Sequence, residues 1–338
     1  MRVFVTGHRG YIGAHLTPLL RAAGHWVTGC DLDLFEGCEW GVVEPPDREL
    51  RRDVRMVSPD DLSGHDCVMH LAAISNDPMG ALDPAVTYSV NRDGSINLAG
   101  AAKAAGVPRF LFASSCAMYG QAGRLDVEES APLCPVSAYA ESKVAAEGAI
   151  CALADDAFSP VFLRNATAFG LSPMFRLDLV ANNLLACAIA RGDIRVTSDG
   201  TPWRPLIHCR DIARAFVAIL ETPRELTHNL PINIGADAQN YQVKDVAAVV
   251  RGLVPDAQVV FTGETGPDPR NYRVSFARLR ALLPRFTLSQ DLASGLRELH
   301  EAMLARGFGR ADFDGPKYVR LRTLQGRLDR LGGPAQPR

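Results

Sequence analysis

The chain has 338 residues, 47% hydrophobic and 22% charged, a balance that excludes disorder as its main state and supplies one large core or two unequal ones. Its formal net charge of −2, with Lys and Arg spread along the chain, gives no basic footprint for a nucleic acid or an anionic membrane, and a small-molecule ligand is the better expectation. Eight cysteines, at 30, 38, 67, 116, 134, 151, 187 and 209, form no CxxC pair and no zinc spacing with a histidine, so they read as scattered reduced thiols and no metal is expected. No apolar run approaches the ~18 residues of a membrane span and no signal peptide precedes the first strand, so the expected location is cytoplasmic.

In chain order, short apolar runs rich in Val, Ile and Phe fall at residues 2–6, 26–30, from 67, at 109–114 and at 160–165. Continuous apolar strands separated by helical patterns predict a parallel sheet covered on both faces, a doubly wound α/β fold. One helix is predicted from Asp83 as N-cap, with Pro84 in the first helical position, to about residue 106, and another over about 137–155. After Gly170 the rhythm changes, with helices predicted at 177–190, 211–220 and 243–253 and strands near 194–197 and 231–235.

This pattern divides the chain into a dinucleotide-binding domain over 1–168, with returns near 205–235, and a smaller substrate lobe over 169–204 and 236–310. A Pro/Gly-rich loop at 263–269 marks a lobe boundary. A helical extension over 311–331, for packing or dimer contact, precedes a tail at 332–338 expected to be disordered.

The segment Gly7-His8-Arg9-Gly10-Tyr11-Ile12-Gly13 follows the first strand and opens a helix. Its three glycines fall where a strand-to-helix turn must let a pyrophosphate approach the free amides of a helix N-terminus. Asp31 stands at the end of the next strand, about the ~20 residues on at which the dinucleotide fingerprint places an acid. There it would accept hydrogen bonds from ribose hydroxyls and repel a 2′-phosphate, favouring NAD over NADP. Gly7, Gly10, Tyr11, Ile12, Gly13 and Asp31 are therefore candidate cofactor residues, and Asp53 and Val54 are placed to reach the adenine.

Tyr139 and Lys143 lie at i and i+4 in the second predicted helix and share one face. A lysine ammonium near the phenol, together with a positive nicotinamide, is expected to lower the tyrosine pKa from its usual ~10 and make Tyr139 a general base. Upstream, the strand at 109–114 ends in Ser114-Ser115-Cys116-Ala117-Met118-Tyr119-Gly120, which puts hydroxyls at the carboxyl edge of the sheet, where open α/β folds bind ligands.

With these motifs in this order, and with His70-Leu71-Ala72-Ala73 and Asn91 between them, residues 1–304 resemble the extended short-chain dehydrogenase/reductases, specifically the NAD-dependent sugar epimerase/dehydratase family. The resemblance implies a Rossmann fold and a catalytic trio of Ser115, Tyr139 and Lys143. It adds Leu71, Ala72, Ala73 and Asn91 to the cofactor site, with Tyr139 and Lys143 also touching NAD, and implies a homodimer formed through the two predicted helices. Family dehydratases and decarboxylases carry an acidic residue where this chain has Cys116 or Ala117, so the resemblance favours 4-epimerisation. Net 4-ketoreduction by the same residues is the alternative; a 3- or 5-epimerase using Cys116 and a dinucleotide-sensing module without chemistry stand behind it.

A nucleotide-diphosphate sugar is the implied substrate. Arg204, after the Gly-containing turn at 198–202, and Arg270, after Asp268-Pro269, match family arginines that bind the nucleotide diphosphate. Asn183 falls near a family diphosphate ligand. Ser115, Cys116 and Ala117 stand at the sugar by resemblance, although Cys116 itself is expected to be a packed thiol, and Thr167 replaces the usual family asparagine there, which leaves the identity of the sugar open.

Overall fold

The computed structural model describes residues 1–75, 77–121, 126–263 and 270–330. Seven parallel strands form the main sheet: β1 (Arg2–Thr6), β2 (Trp26–Asp31), β3 (Arg48–Arg51), β4 (Cys67–His70), β5 (Arg109–Ser115), β6 (Ser159–Asn165) and, returning late in the chain, Leu230–Ile234. Three short strands, β7 (Thr167–Phe169), β8 (Asp193–Val196) and β9 (Trp203–His208), precede that return, which is therefore β10. β11 (Asn240–Gln242) and β12 (Gln258–Phe261) follow it.

The sheet order is β10-β6-β5-β4-β1-β2-β3. The chain winds outward from β1 to β3, then crosses back to β4 and winds the other way. The reversal lies between β1 and β4, and such a switch point is where open α/β sheets leave a crevice for ligands.

Alternation along each strand divides the core. Val3 and Val5 point to the face covered by helices Gly13–Ala22 and Cys209–Glu221, packing with Leu16, Leu20, Ile212 and Phe216. Phe4 points to the other face, with Phe110, Phe112, Phe162, Leu98 and Ile150 of helices Gly94–Ala104 and Ala138–Cys151. β3, sequence RELR, is a mostly exposed edge strand without an apolar pattern, which is why the sequence does not announce it. A second core gathers helices Val180–Arg191, Val243–Leu253 and Leu292–Arg306 against the three-stranded sheet β11-β9-β7 and the pair β12-β8.

Two expected helices differ in detail. Asp83 caps as predicted, its carboxylate accepting the Val86 N–H at 3.1 Å, but the run to Ala104 is interrupted by a wide π-type turn over Ser89–Asp93. The turn carries Asn91 inward, and its amide bonds to another loop. The helix expected from residue 177 starts at Val180, because Arg176 and Asp178 pair with each other ahead of it. Residues 264–269, including Asp268 and Pro269, and the tail at 332–338 lie outside the described residues.

Candidate active site

A cleft of 920 Å³ opens at the switch point. At its inner end Gly7 adopts φ +72°, and a Cβ there would come within 2.7 Å of the Ala72 amide nitrogen, so the loops after β1 and β4 touch through bare backbone. A Cβ on Gly13 would lie 2.1 Å from the Gly7 carbonyl, so nothing larger than glycine closes this turn without moving it. Thr6 Oγ1 accepts the Leu71 and Ala72 N–H groups, each at 3.2 Å, and fixes the facing loop.

Gly7, Gly10, Tyr11, Ile12, Gly13, Leu71, Ala72 and Ala73 all line the cleft. Tyr11 spends its hydroxyl on the Gly170 carbonyl at 2.6 Å, tying the turn to the start of the second core. Asn91 is not on the wall. Fully buried, it accepts the Ile74 N–H at 2.8 Å and donates to the Ile74 carbonyl at 3.0 Å, so it shapes the β4 loop from behind.

Asp31 ends β2 on the cleft wall, its carboxylate accepting the Asp33 N–H at 2.9 Å and the Arg9 N–H at 3.1 Å. The Arg9 side chain pairs with Asp33 at 3.2 Å and Glu49 at 2.7 Å. Three carboxylates around one guanidinium make this corner unfavourable for an added phosphate dianion. Asp53 and Val54 also line the cleft; Asp53 pairs with Arg55 at 2.6 Å, and that hydrogen bond holds its carboxyl below the usual range.

Ser115 is the last residue of β5 and accepts the Ala117 N–H at 3.1 Å. Tyr139 and Lys143 reach the same floor from helix Ala138–Cys151, capped by Ser137, whose Oγ accepts the Ala140 N–H at 3.2 Å. The Ser115 hydroxyl is near enough to the Tyr139 phenol to favour its ionised form. Enclosure pushes the Tyr139 phenol above its ordinary value; the Ser115 hydroxyl, Arg176 and Arg270 pull it down, and Asp77 pushes it up.

The expected lowering by Lys143 is not what the structure shows. Lys143 is itself buried, its Nζ donating to the Ala113 carbonyl at 2.8 Å and lying 4.5 Å over the Phe112 ring, and burial pushes its pKa down to about 7. The fixed cations acting on the phenol are Arg176 and Arg270, from segments distant in sequence.

Cys116, a sequence candidate for substrate contact, turns away from the cleft into the core. It is 1% exposed, its thiol donates to the Arg164 carbonyl at 3.2 Å, and burial pushes the thiol up. Ala117 lines the cleft beside Ser115. Beneath this floor Arg164 pairs with Glu147 at 2.5 Å, Glu147 accepts the Ser114 hydroxyl at 2.7 Å, and Arg164 donates to the Tyr119 oxygen at 3.1 Å. That buried network fixes the strand end from which Ser115 projects.

The outer end of the cleft is built from side chains. Thr167 and Asn183 line it, while the neighbouring Asn182 is buried and accepts the Gly170 N–H at 2.8 Å. Arg204 and Arg270 come together, an Arg204 Nη1 donating to the Arg270 carbonyl, and Arg270 pairs with Asp77 at 3.0 Å. Arg176 pairs with Asp178 and donates to Ser75 Oγ, both at 2.9 Å. Sequence reading missed Asp77, Arg176 and Asp178; Arg176 and Asp178 straddle the predicted start of a helix at residue 177.

A family profile described as the NAD-dependent epimerase/dehydratase family matches residues 3–235, well over half the chain. UDP-glucose 4-epimerase of Lacticaseibacillus casei is 30% identical over 277 residues, 75% of this chain and 82% of the relative. UDP-glucuronic acid decarboxylase 1 of Arabidopsis thaliana is 27% identical over 326 residues, 92% of this chain and 72% of that protein. Among solved structures, an NAD-dependent NDP-hexosamine 5,6-dehydratase, TunA, superposes with a TM-score of 0.81 at 27% identity, covering 90% of this chain and 98% of that one. This chain belongs to the NAD-dependent epimerase/dehydratase family.

The bare glycine turn fits the NAD of the NAD-dependent epimerase/dehydratase family: Gly7, Gly10 and Gly13 line the cleft without side chains ahead of helix Gly13–Ala22, whose free amides suit a pyrophosphate. Family membership makes this chain part of an NAD-dependent enzyme family, and the two relatives named above are enzymes of UDP-sugars. It does not choose the reaction, since an epimerase, a decarboxylase and a dehydratase all stand at about the same distance. Among the described residues, no helix is long and apolar enough to cross a membrane.

Proposed function

We propose that the protein epimerises a nucleotide-diphosphate sugar at C4 through a transient 4-keto sugar, with Tyr139 as general base. The observation that carries this reading is the floor of the cleft. There Ser115, Tyr139 and Lys143 line the same cleft, with Ser115 close enough to act on the phenol, while Cys116 faces the core and Ala117 offers no acid. The cleft carboxylates around this floor, Asp77 and Asp178, are in ion pairs with Arg270 and Arg176. Elimination of water or loss of carbon dioxide calls for a proton donor or acceptor beyond the tyrosine; hydride removal and return do not.

Tyr139, as phenolate, takes the proton of the sugar 4-hydroxyl, and Ser115 holds the same oxygen. NAD held in this cleft would supply the acceptor and donor of the C4 hydride. The keto-sugar presents its other face, and the Tyr139 hydroxyl returns the proton to the carbonyl oxygen. Gly7, Gly10, Tyr11, Ile12, Gly13, Asp31, Asp53, Val54 and Leu71 to Ala73 hold the dinucleotide, and Asn91 positions their loop. Arg204 and Arg270 bind the diphosphate, and Thr167 and Asn183 complete the sugar end.

The carboxylate corner of Asp31, Asp33 and Glu49 supports NAD kept through turnover over consumption of a phosphorylated dinucleotide. The test is a panel of nucleotide-diphosphate sugars incubated in heavy water with the purified enzyme and no added dinucleotide. A stereoisomer of unchanged mass is the expected product. A deuterated product, a lost water or a lost carbon dioxide contradicts the reading, and turnover only of keto-sugars with added NADH makes the enzyme a ketoreductase.

A further inference from the structure

The C-terminal segment crosses from the second core to the cofactor side of the cleft. Its anchor is an aromatic cluster: Tyr318, 1% exposed, packs on Trp40 and Phe175 with ring centroids 5.3 and 5.7 Å away, and the Leu177 N–H donates to the Tyr318 carbonyl at 2.8 Å. From there helix Arg320–Arg330 reaches the loop after β2, where Arg327 donates to the Glu36 carbonyl at 2.5 Å and Thr323 lies 3.8 Å from the Cys38 sulfur. Arg320 and Leu324 of this helix are part of the cleft wall.

Arg320 is 3% exposed. Its guanidinium stacks 3.9 Å from the centroid of the Phe35 ring, and Nη2 makes a long hydrogen bond, 3.3 Å, to the Met174 carbonyl. Nη1 is buried without a hydrogen-bond partner, and Arg320 forms no ion pair among the described residues. Arg176 stands close enough to lower its pKa, which burial and that neighbour bring down to about 10, and Arg176 is already paired with Asp178. Asp178, already paired with Arg176, and Asp31 are the carboxylates that act on Arg320, and neither is in an ion pair with it among the described residues; a buried cation without a partner is costly unless an anion completes it. The location indicates which anion. The Met174 N–H donates to Ser172 Oγ, which in turn donates to the Tyr11 carbonyl at 2.8 Å, so Arg320 stands one short relay from the glycine turn.

We propose that Arg320 binds the pyrophosphate of the dinucleotide from the C-terminal side, and that helix Arg320–Arg330 straps the cofactor into the cleft. This rests on the dinucleotide lying at the glycine turn. The planar guanidinium fork suits a phosphate oxygen pair, and stacking on Phe35 holds it in register. A cofactor strapped in this way stays bound between the two hydride steps.

The full-length protein, stripped of dinucleotide, is titrated calorimetrically with NAD, ADP-ribose, adenosine and UDP, as wild type, Arg320→Gln and Arg320→Lys. Arg320→Gln is expected to weaken NAD and ADP-ribose by roughly 10- to 100-fold, the worth of a hydrogen bond to a charged group, with adenosine and UDP changed less than about twofold. NAD release, followed by stopped flow, speeds up by a similar factor, and Arg320→Lys falls between. Thermal unfolding of the dinucleotide-free Gln variant should be no lower than wild type, since an unpaired buried charge has gone.

Equal losses for adenosine and ADP-ribose would assign Arg320 a structural role, a loss on UDP alone would move it to the substrate diphosphate, and no loss on NAD removes the proposal. If the Gln variant does not fold, the Lys variant carries the same comparison. Wild type that binds no NAD overturns the glycine-turn assignment itself, an outcome distinct from the failure of Arg320.

Discussion

Around the glycine turn the cleft wall is main chain, with Gly7, Gly10 and Gly13 packed so closely that an added Cβ on Gly7 or Gly13 meets backbone at 2.7 Å or less. Around Arg204 it is side chain, with guanidiniums and carboxylates brought together from residues 77, 176, 178, 204 and 270. The first wall is set by local sequence, because three glycines at fixed spacing determine the turn. The second exists only after distant segments fold together, so it can be retuned one residue at a time. A fixed cofactor and a variable sugar call for that division.

The comparison breaks if the floor shared by both walls is not catalytic. Tyr139→Phe should lower kcat by roughly 10²–10⁴-fold with dinucleotide content unchanged, as absorbance of the purified protein reads directly. Gly13→Ala should weaken NAD binding by at least about 100-fold and lower stability by roughly 2–4 kcal/mol in chemical denaturation, because its Cβ would lie 2.1 Å from a carbonyl oxygen. Arg204→Ala should do the opposite, raising KM for the sugar nucleotide about 10- to 100-fold while leaving NAD affinity alone. If the two variants affect both ligands alike, the two walls are not separable.

Two smaller effects sharpen the account of the floor. Lys143 has a folded pKa of about 7 against 10.5 when exposed, so the unfolded chain binds more protons between those values and stability must rise with pH across that window. Lys143→Met should remove this term: the stability of the variant relative to wild type falls by up to about 1.4 kcal/mol per unit between pH 7 and 10, in dinucleotide-free protein. A constant difference would mean that Lys143 keeps an ordinary pKa. Cys116→Ala should change kcat less than about twofold and cost roughly 1–2 kcal/mol of stability, as removal of a buried core thiol does; a large loss of activity with an intact fold would return Cys116 to the chemistry.

What was legible in the sequence follows the same division. The five expected apolar runs are β1, β2, β4, β5 and β6, because fully buried parallel strands write themselves as continuous Val, Ile and Phe. β3 has no such run and stayed hidden. Ser115, Tyr139 and Lys143 converge because β5 and helix Ala138–Cys151 are adjacent in a fold whose winding rules leave little choice. Cys116 is the packed thiol it was expected to be and not the substrate contact that resemblance added, because one step along a strand end reverses the direction of the side chain; Asn91 was misread because its role is to hold Ile74 rather than to face the cleft. Arg176 and Arg320 were invisible for a different reason. An arginine in a helical stretch reads as a solvated charge until the tertiary fold buries it, and no spacing rule connects residue 320 to a turn at residue 10.

The most direct test of C4 epimerisation is the fate of the C4 hydrogen. A nucleotide-diphosphate sugar that turns over, labelled with deuterium at C4, is converted in ordinary water and the product read by NMR and mass spectrometry. Internal removal and return of hydride predicts the C4 epimer with its deuterium still at C4. Deuterium lost to solvent or carried to another carbon, or an epimer inverted at a different centre with C4 unchanged, would contradict it.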